Sequence, residues 1–140
     1  MRPDPAHPAD WNRGAYLVQG LGHCDACHGE RNLLGATGAA GTLAGGAIPM
    51  QGWYAPSLAP GADGRPHWEE ADLVALLRTG AWSRGTVMGP MAEVVLRSTQ
   101  HLEASDLRAI VSYLASLPPA DKAMPTSAAF DAAGPAAHAR

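Results

Sequence analysis

The apolar positions of this chain form helical stripes separated by long stretches without period. Trp11, Tyr16, Leu17, Val18 and Leu21 lie on or near one stripe of a first helix, with Asp10 placed to cap it. Leu73, Leu76 and Leu77 mark a second helix over about Glu69 to Thr79, and Gly80 supplies its stop. A third helix is expected from about Met91 to Thr99. Leu107, Ile110, Val111, Leu114 and Leu117 recur at helical spacing over about Ala104 to Leu117, where Pro118-Pro119 ends the run. No segment shows strand alternation, so the expected class is all-α, with about four helices. Gly14 would let the first and last helices cross closely near Tyr113.

Gly29 to about His67 is a long stretch rich in Gly and Pro. A loop of that length is uncommon inside a compact domain. It makes sense if the chain wraps around something. The expected organisation is a flexible Pro-rich leading tail over residues 1–9, one domain over 10–119, and a Pro/Ala-rich, linker-like tail over 120–140. No internal repeat is visible.

Composition explains why the chain would need something to wrap around. The hydrophobic 46% of its 140 residues leans on alanine, Phe occurs once, and there are 16 Gly and 12 Pro. Such a chain builds a small core unaided, and a large apolar cofactor would enlarge it. Net charge is −3, with Lys122 the one lysine, so the basic cluster of a nucleic-acid binder is missing. No apolar run approaches the roughly 18 residues of a membrane span. The Pro-rich first ten residues do not resemble the apolar region of a secretory signal.

The chemistry is concentrated in Cys24-Asp25-Ala26-Cys27-His28. C-x-x-C-H is the attachment signature of c-type haem. Two thiols add to the two vinyl groups of one haem, the turn between them sets their separation, and the adjacent His28 supplies a proximal imidazole to the iron. The rival readings are weaker. A thioredoxin-type pair needs a βαβ context. A zinc site needs more ligands than His28 can add. A disulfide across this spacing is geometrically poor. One covalent haem c, with iron, is therefore the expected cofactor, and the motif uses both cysteines.

A sixth ligand from methionine would raise the potential. Met88 and Met91 sit in the loop before the third helix, and Pro90 stiffens the approach to Met91. The residues favour Met91 over Met88. Met50 is a more remote candidate, and either methionine could instead fill core space. Trp53, Trp68 and Trp82 offer indole N–H donors and Arg31 a charged fork, which a haem propionate could use. Each Trp could equally pack on the porphyrin or the core, and Arg31 could be a surface charge.

The chain resembles a class I cytochrome c domain, and more narrowly one domain of the multihaem cytochrome c subunits of membrane-bound alcohol and gluconate dehydrogenases. The residues that carry this are Tyr16-Leu17-Val18, Gly22-His23-Cys24, Cys27-His28-Gly29-Glu30-Arg31-Asn32 and Gly35. Further on they are Gly52-Trp53-Tyr54-Ala55-Pro56-Ser57-Leu58, Leu77-Arg78-Thr79-Gly80, Gly89-Pro90-Met91-Ala92-Glu93-Val94-Val95 and the last helix. Two departures are Gly29-Glu30, where the family often has Thr-Pro, and Ser57, where it often has Asn. The resemblance implies Met91 as axial ligand and a single-electron carrier rather than an enzyme. It implies a redox partner protein, either a dehydrogenase subunit or another cytochrome. It also implies haem attachment outside the cytoplasm, hence a periplasmic location. The tails look like inter-domain linkers, so the chain is expected to be one domain of a longer protein or a mature chain without its signal. The competing function is a haem with an open distal side that binds or reduces a small molecule. No acid–base pair or nucleophile constellation supports that alternative.

Overall fold

The first and last helices cross at a glycine. In the computed structural model, which describes residues 1–31, 43–48, 50–61 and 69–119, helix α1 (Ala9–Ala15) packs on the C-terminal helix α5 (Ala104–Ala115). A Cβ added to Gly14 would lie 2.0 Å from the Ala109 carbonyl oxygen and 2.8 Å from Tyr113 Cβ, so a hydrogen is all the crossing admits. Beside it the Arg13 guanidinium forks onto Asp106, with Nε–Oδ1 at 2.8 Å and Nη2–Oδ2 at 2.7 Å. The Trp11 indole donates to Ser116 Oγ at 2.6 Å and meets the Tyr113 ring edge-on at 5.1 Å. Leu17, Val18, Leu43, Ile110, Tyr113 and Leu114 form the centre of the core.

Helix α1 starts without a side-chain cap. Pro8, in extended conformation, takes the cap position, and Asp10 lies inside the first turn rather than capping it. There its charge still favours the positive helix end. Asn12 clasps the leading segment: it accepts from Asp4 N–H and donates to the carbonyls of Asp4, His7 and Pro8. His7 stacks on Trp11 at 3.7 Å. From Tyr16 to Leu21 the helix widens into π geometry, with Gly22 N–H donating to the Leu17 carbonyl at 2.7 Å.

The short helix α2 (Asp25–His28) follows. Then come two antiparallel pairs that the sequence pattern does not predict. Strand β1 (Gly46–Ile48) pairs with β2 (Trp53–Ala55), Gly46 opposite Ala55 and Ile48 opposite Trp53; strand β3 (Ala81–Trp82) pairs with β4 (Gly85–Thr86). Strands of two or three residues are too short to show alternation. The architecture remains helix-rich.

Between the pairs, helix α3 (Glu70–Thr79) ends at Gly80, whose φ of +76° is the left-handed stop expected of glycine there. Its aliphatic residues are only half-buried among the described residues. Helix α4 (Pro90–Arg97) enters through Gly89, with proline at its first position, and a short 3-10 turn (Thr99–His101) replaces its expected end. No helix among the described residues is long and apolar enough to cross a membrane.

Candidate cofactor site

The π turn places the cysteine motif. After Gly22 the chain bends through His23 at φ +44°, and Cys24 N–H donates back to the Val18 carbonyl at 3.1 Å. His28 N–H then donates to the Cys24 carbonyl at 2.8 Å, so both thiols and the imidazole issue from one tight turn. Gly29 closes it: a Cβ there would lie 2.4 Å from the Asp25 carbonyl oxygen. Cys24 and Cys27 are half-buried and form no disulfide. Burial, helped by the negative charge of Asp25, pushes the Cys24 thiol up to about 11.

His28 is buried at 9% exposure, and its Nδ1 lies 2.7 Å from the Pro56 carbonyl oxygen. A carbonyl can only accept, so Nδ1 carries the proton and Nε2 keeps the lone pair a metal requires. Burial lowers the pKa of the ring, while the bond to Pro56 pulls the other way. The net direction keeps the imidazole neutral. The wrapping chain is tied to the same turn. Gly45 N–H donates to the His28 carbonyl at 2.8 Å, and a Cβ on Gly46 would lie 2.7 Å from the Gly29 oxygen. Ser57 Oγ donates to the Leu43 carbonyl and accepts from Ala59 N–H, both at 3.2 Å, which holds the strand running past Pro56.

The other candidate residues fall in separate places. Met91 is half-buried in the first turn of α4, whereas Met88 is 70% exposed and Met50 wholly exposed. Trp53 lays its indole on Gly89, two residues ahead of Met91. Arg31 folds back and donates to the Ala26 carbonyl, inside the cysteine turn. Trp82 sits on β3 with the Arg84 guanidinium 4.8 Å above its ring. Trp68 lies outside the described residues. Sequence reasoning missed Pro56 and Gly89 as parts of the site. Both act through backbone, and the only available sign was their place in the Gly-Trp-Tyr-Ala-Pro-Ser-Leu and Gly-Pro-Met strings.

The donor set fits a haem: two uncrosslinked thiols one helical turn apart, followed by a neutral imidazole whose Nδ1 proton is held by Pro56 and whose Nε2 carries the lone pair. A helix-rich frame around such a turn defines a protein built to hold a tetrapyrrole through its own side chains. The cytochrome c family profile matches residues 11–118, and the chain belongs to the cytochrome c family. Membership implies covalent haem c and an electron-transfer rather than a catalytic domain.

The chain is similar to a nicotinate dehydrogenase subunit of Pseudomonas putida, 48% identical over 131 residues that cover 91% of this chain and 11% of that one. It is 42% identical to the fructose dehydrogenase cytochrome subunit of Gluconobacter japonicus, over 94% of this chain and 27% of that one. It is 45% identical to the cytochrome c subunit of the quinone alcohol dehydrogenase of Gluconobacter oxydans, over 76% of this chain and 23% of that one. The chain thus spans between 11% and 27% of the length of these curated relatives.

Proposed function

We propose that this chain carries one haem c, bound through Cys24 and Cys27, with His28 as proximal and Met91 as sixth ligand, and that it passes single electrons from a dehydrogenase or neighbouring haem to a respiratory acceptor. When bound, the haem supplies the one-electron iron couple. The protein's part is to hold that iron in fixed surroundings, so that little rearranges as charge moves. Two thioether links fix the macrocycle to the cysteine turn. Pro56 fixes the rotation of the His28 ring. Methionine opposite histidine raises the potential, and Met91 is half-buried where Met88 is 70% exposed. The single observation that carries the reading is the buried His28 ring with Nδ1 satisfied by Pro56 in the same turn as two free thiols.

The relatives named for their dehydrogenases support a dehydrogenase partner and, with covalent haem, a periplasmic setting. The family match over residues 11–118 supports the reading of one unit that would serve as a link of a longer electron chain.

A redox titration of the holoprotein, with spectra at each step and carbon monoxide added to the ferrous form, tests this. The expected result is one reversible one-electron wave and no rapid CO binding. Met91→Ala should bind CO and lose potential, while Met88→Ala should match the parent. Rapid CO binding by the parent would favour the open-site alternative instead.

A further inference from the structure

We propose that Trp53 is a positioning residue for Met91: its indole holds the turn at Gly89 and thereby keeps the Met91 thioether on the iron. The inference rests on the ligand pair proposed above. Its first support is the backbone at Gly89, φ +55° and ψ −138°, which suits glycine alone. A Cβ there would also strike the indole, at 2.6 Å from Cε2, 2.7 Å from Cζ2 and 2.8 Å from Cδ2. The ring therefore rests directly on the backbone of Gly89, against the side a side chain would occupy.

The second support is how little freedom separates Gly89 from Met91. Pro90 fixes its own φ, and Ala92 N–H donates to the Gly89 carbonyl at 3.0 Å, which folds Pro90 and Met91 into the first turn of α4. A displacement of Gly89 is passed on to Met91 because few soft torsions can absorb it.

The third support is where Trp53 comes from. It begins β2, paired with Ile48, and the strand runs through Ala55 directly into Pro56, whose carbonyl holds His28. One stretch from Trp53 to Pro56 thus touches the segments bearing both proposed ligands. Trp53 remains 42% exposed, so its placement reflects the contact with Gly89 more than burial for its own sake.

The consequence is an equilibrium between methionine-bound and methionine-released iron. A competing ligand binds only the released state, so its apparent affinity scales with that state's population. Loss of the indole should enlarge that population about tenfold. The experiment titrates imidazole into ferric holoprotein and follows the visible spectrum, with covalent haem content as a loading control. Trp53→Leu should bind imidazole about tenfold tighter than the parent, Trp53→Phe should fall within about threefold of it, and Met91→Ala should bind tightest. Should Trp53→Leu fail to load haem, Trp53→Val removes the same indole from Gly89 and should also bind tighter. If Met91→Ala binds tightly but Trp53→Leu or Trp53→Val matches the parent, the positioning role is overturned. If Met91→Ala itself matches the parent, the ligand reading fails instead.

Discussion

His28 Nδ1 lies 2.7 Å from the carbonyl oxygen of Pro56, twenty-eight residues further along the chain. The ring is buried and Pro56 is half-buried, so the bond meets a polar need that each would otherwise have to satisfy elsewhere. The bond therefore joins the cysteine turn to the strand that wraps it. It also makes the ring more electron-rich, because a proton drawn toward an acceptor leaves more charge on the ligating nitrogen.

With His28 as the proposed proximal ligand, that electron richness would stabilise the ferric state. In Pro56→Gly the carbonyl remains, but the ring that fixes φ is gone and the acceptor can drift. The potential of the haem should then rise. A loss of up to about 1 kcal/mol of hydrogen-bond preference corresponds to roughly 40 mV for one electron. Spectroelectrochemical titration of parent and variant at equal covalent haem content measures the shift. A potential unchanged or lowered in Pro56→Gly would show that the bond orients the ring without tuning it.

A second prediction concerns acid. Arg13 donates two hydrogen bonds to Asp106, and these hold the Asp106 carboxyl below the usual carboxylate range, with slight burial opposing them. A carboxyl whose pKa is depressed on folding adds stability that is complete above its unfolded value, about 3.9, and that disappears as pH falls through the folded one. Both side chains touch solvent, so the effect is small and screened by salt. Asp106→Asn should melt slightly below the parent at pH 7. The gap should close in high salt, and it should shrink in acid as pH falls below about 3.9 and through the depressed folded value. Melting curves at these conditions check it, and a gap that persists in acid would assign the loss to packing rather than charge.

The frame of this protein is legible in the sequence where side chains repeat with a helix period. The stripes at Leu73, Leu76 and Leu77 and from Leu107 to Leu114 correspond to α3 and α5, and Gly80 stops α3 as its type suggests. The cysteine turn is legible because its chemistry needs named side chains at fixed spacing. What sequence cannot show is made of backbone. The carbonyl of Pro56 has no letter of its own, the π turn from Tyr16 to Leu21 leaves the helical stripe almost intact, and β1 to β4 are too short for a period. Asp10 reads as a cap in the sequence because Pro8, which takes that position, carries no capping side chain.

The last prediction tests the helix crossing. Alanine normally stabilises a helix relative to glycine by about 1 kcal/mol, so Gly14→Ala should help if α1 stood alone. At Gly14 the added carbon would sit 2.0 Å from the Ala109 oxygen and 2.7 Å from its carbonyl carbon, both backbone atoms that cannot rotate aside. Relief requires α1 and α5 to separate, which would strain the Trp11–Ser116 and Arg13–Asp106 bonds on either side. Overpacking of this kind costs about 1–3 kcal/mol or more, so the clash outweighs the propensity gain. Gly20 supplies the control, because a Cβ there meets only the edge of the Tyr16 ring, at 3.4 Å. Gly14→Ala should lower the Tm of the holoprotein by roughly 5–10 °C, while Gly20→Ala should leave it level or slightly higher. Equal Tm values for Gly14→Ala and the parent would mean that the two helices move apart at little cost and that their close crossing adds little to stability.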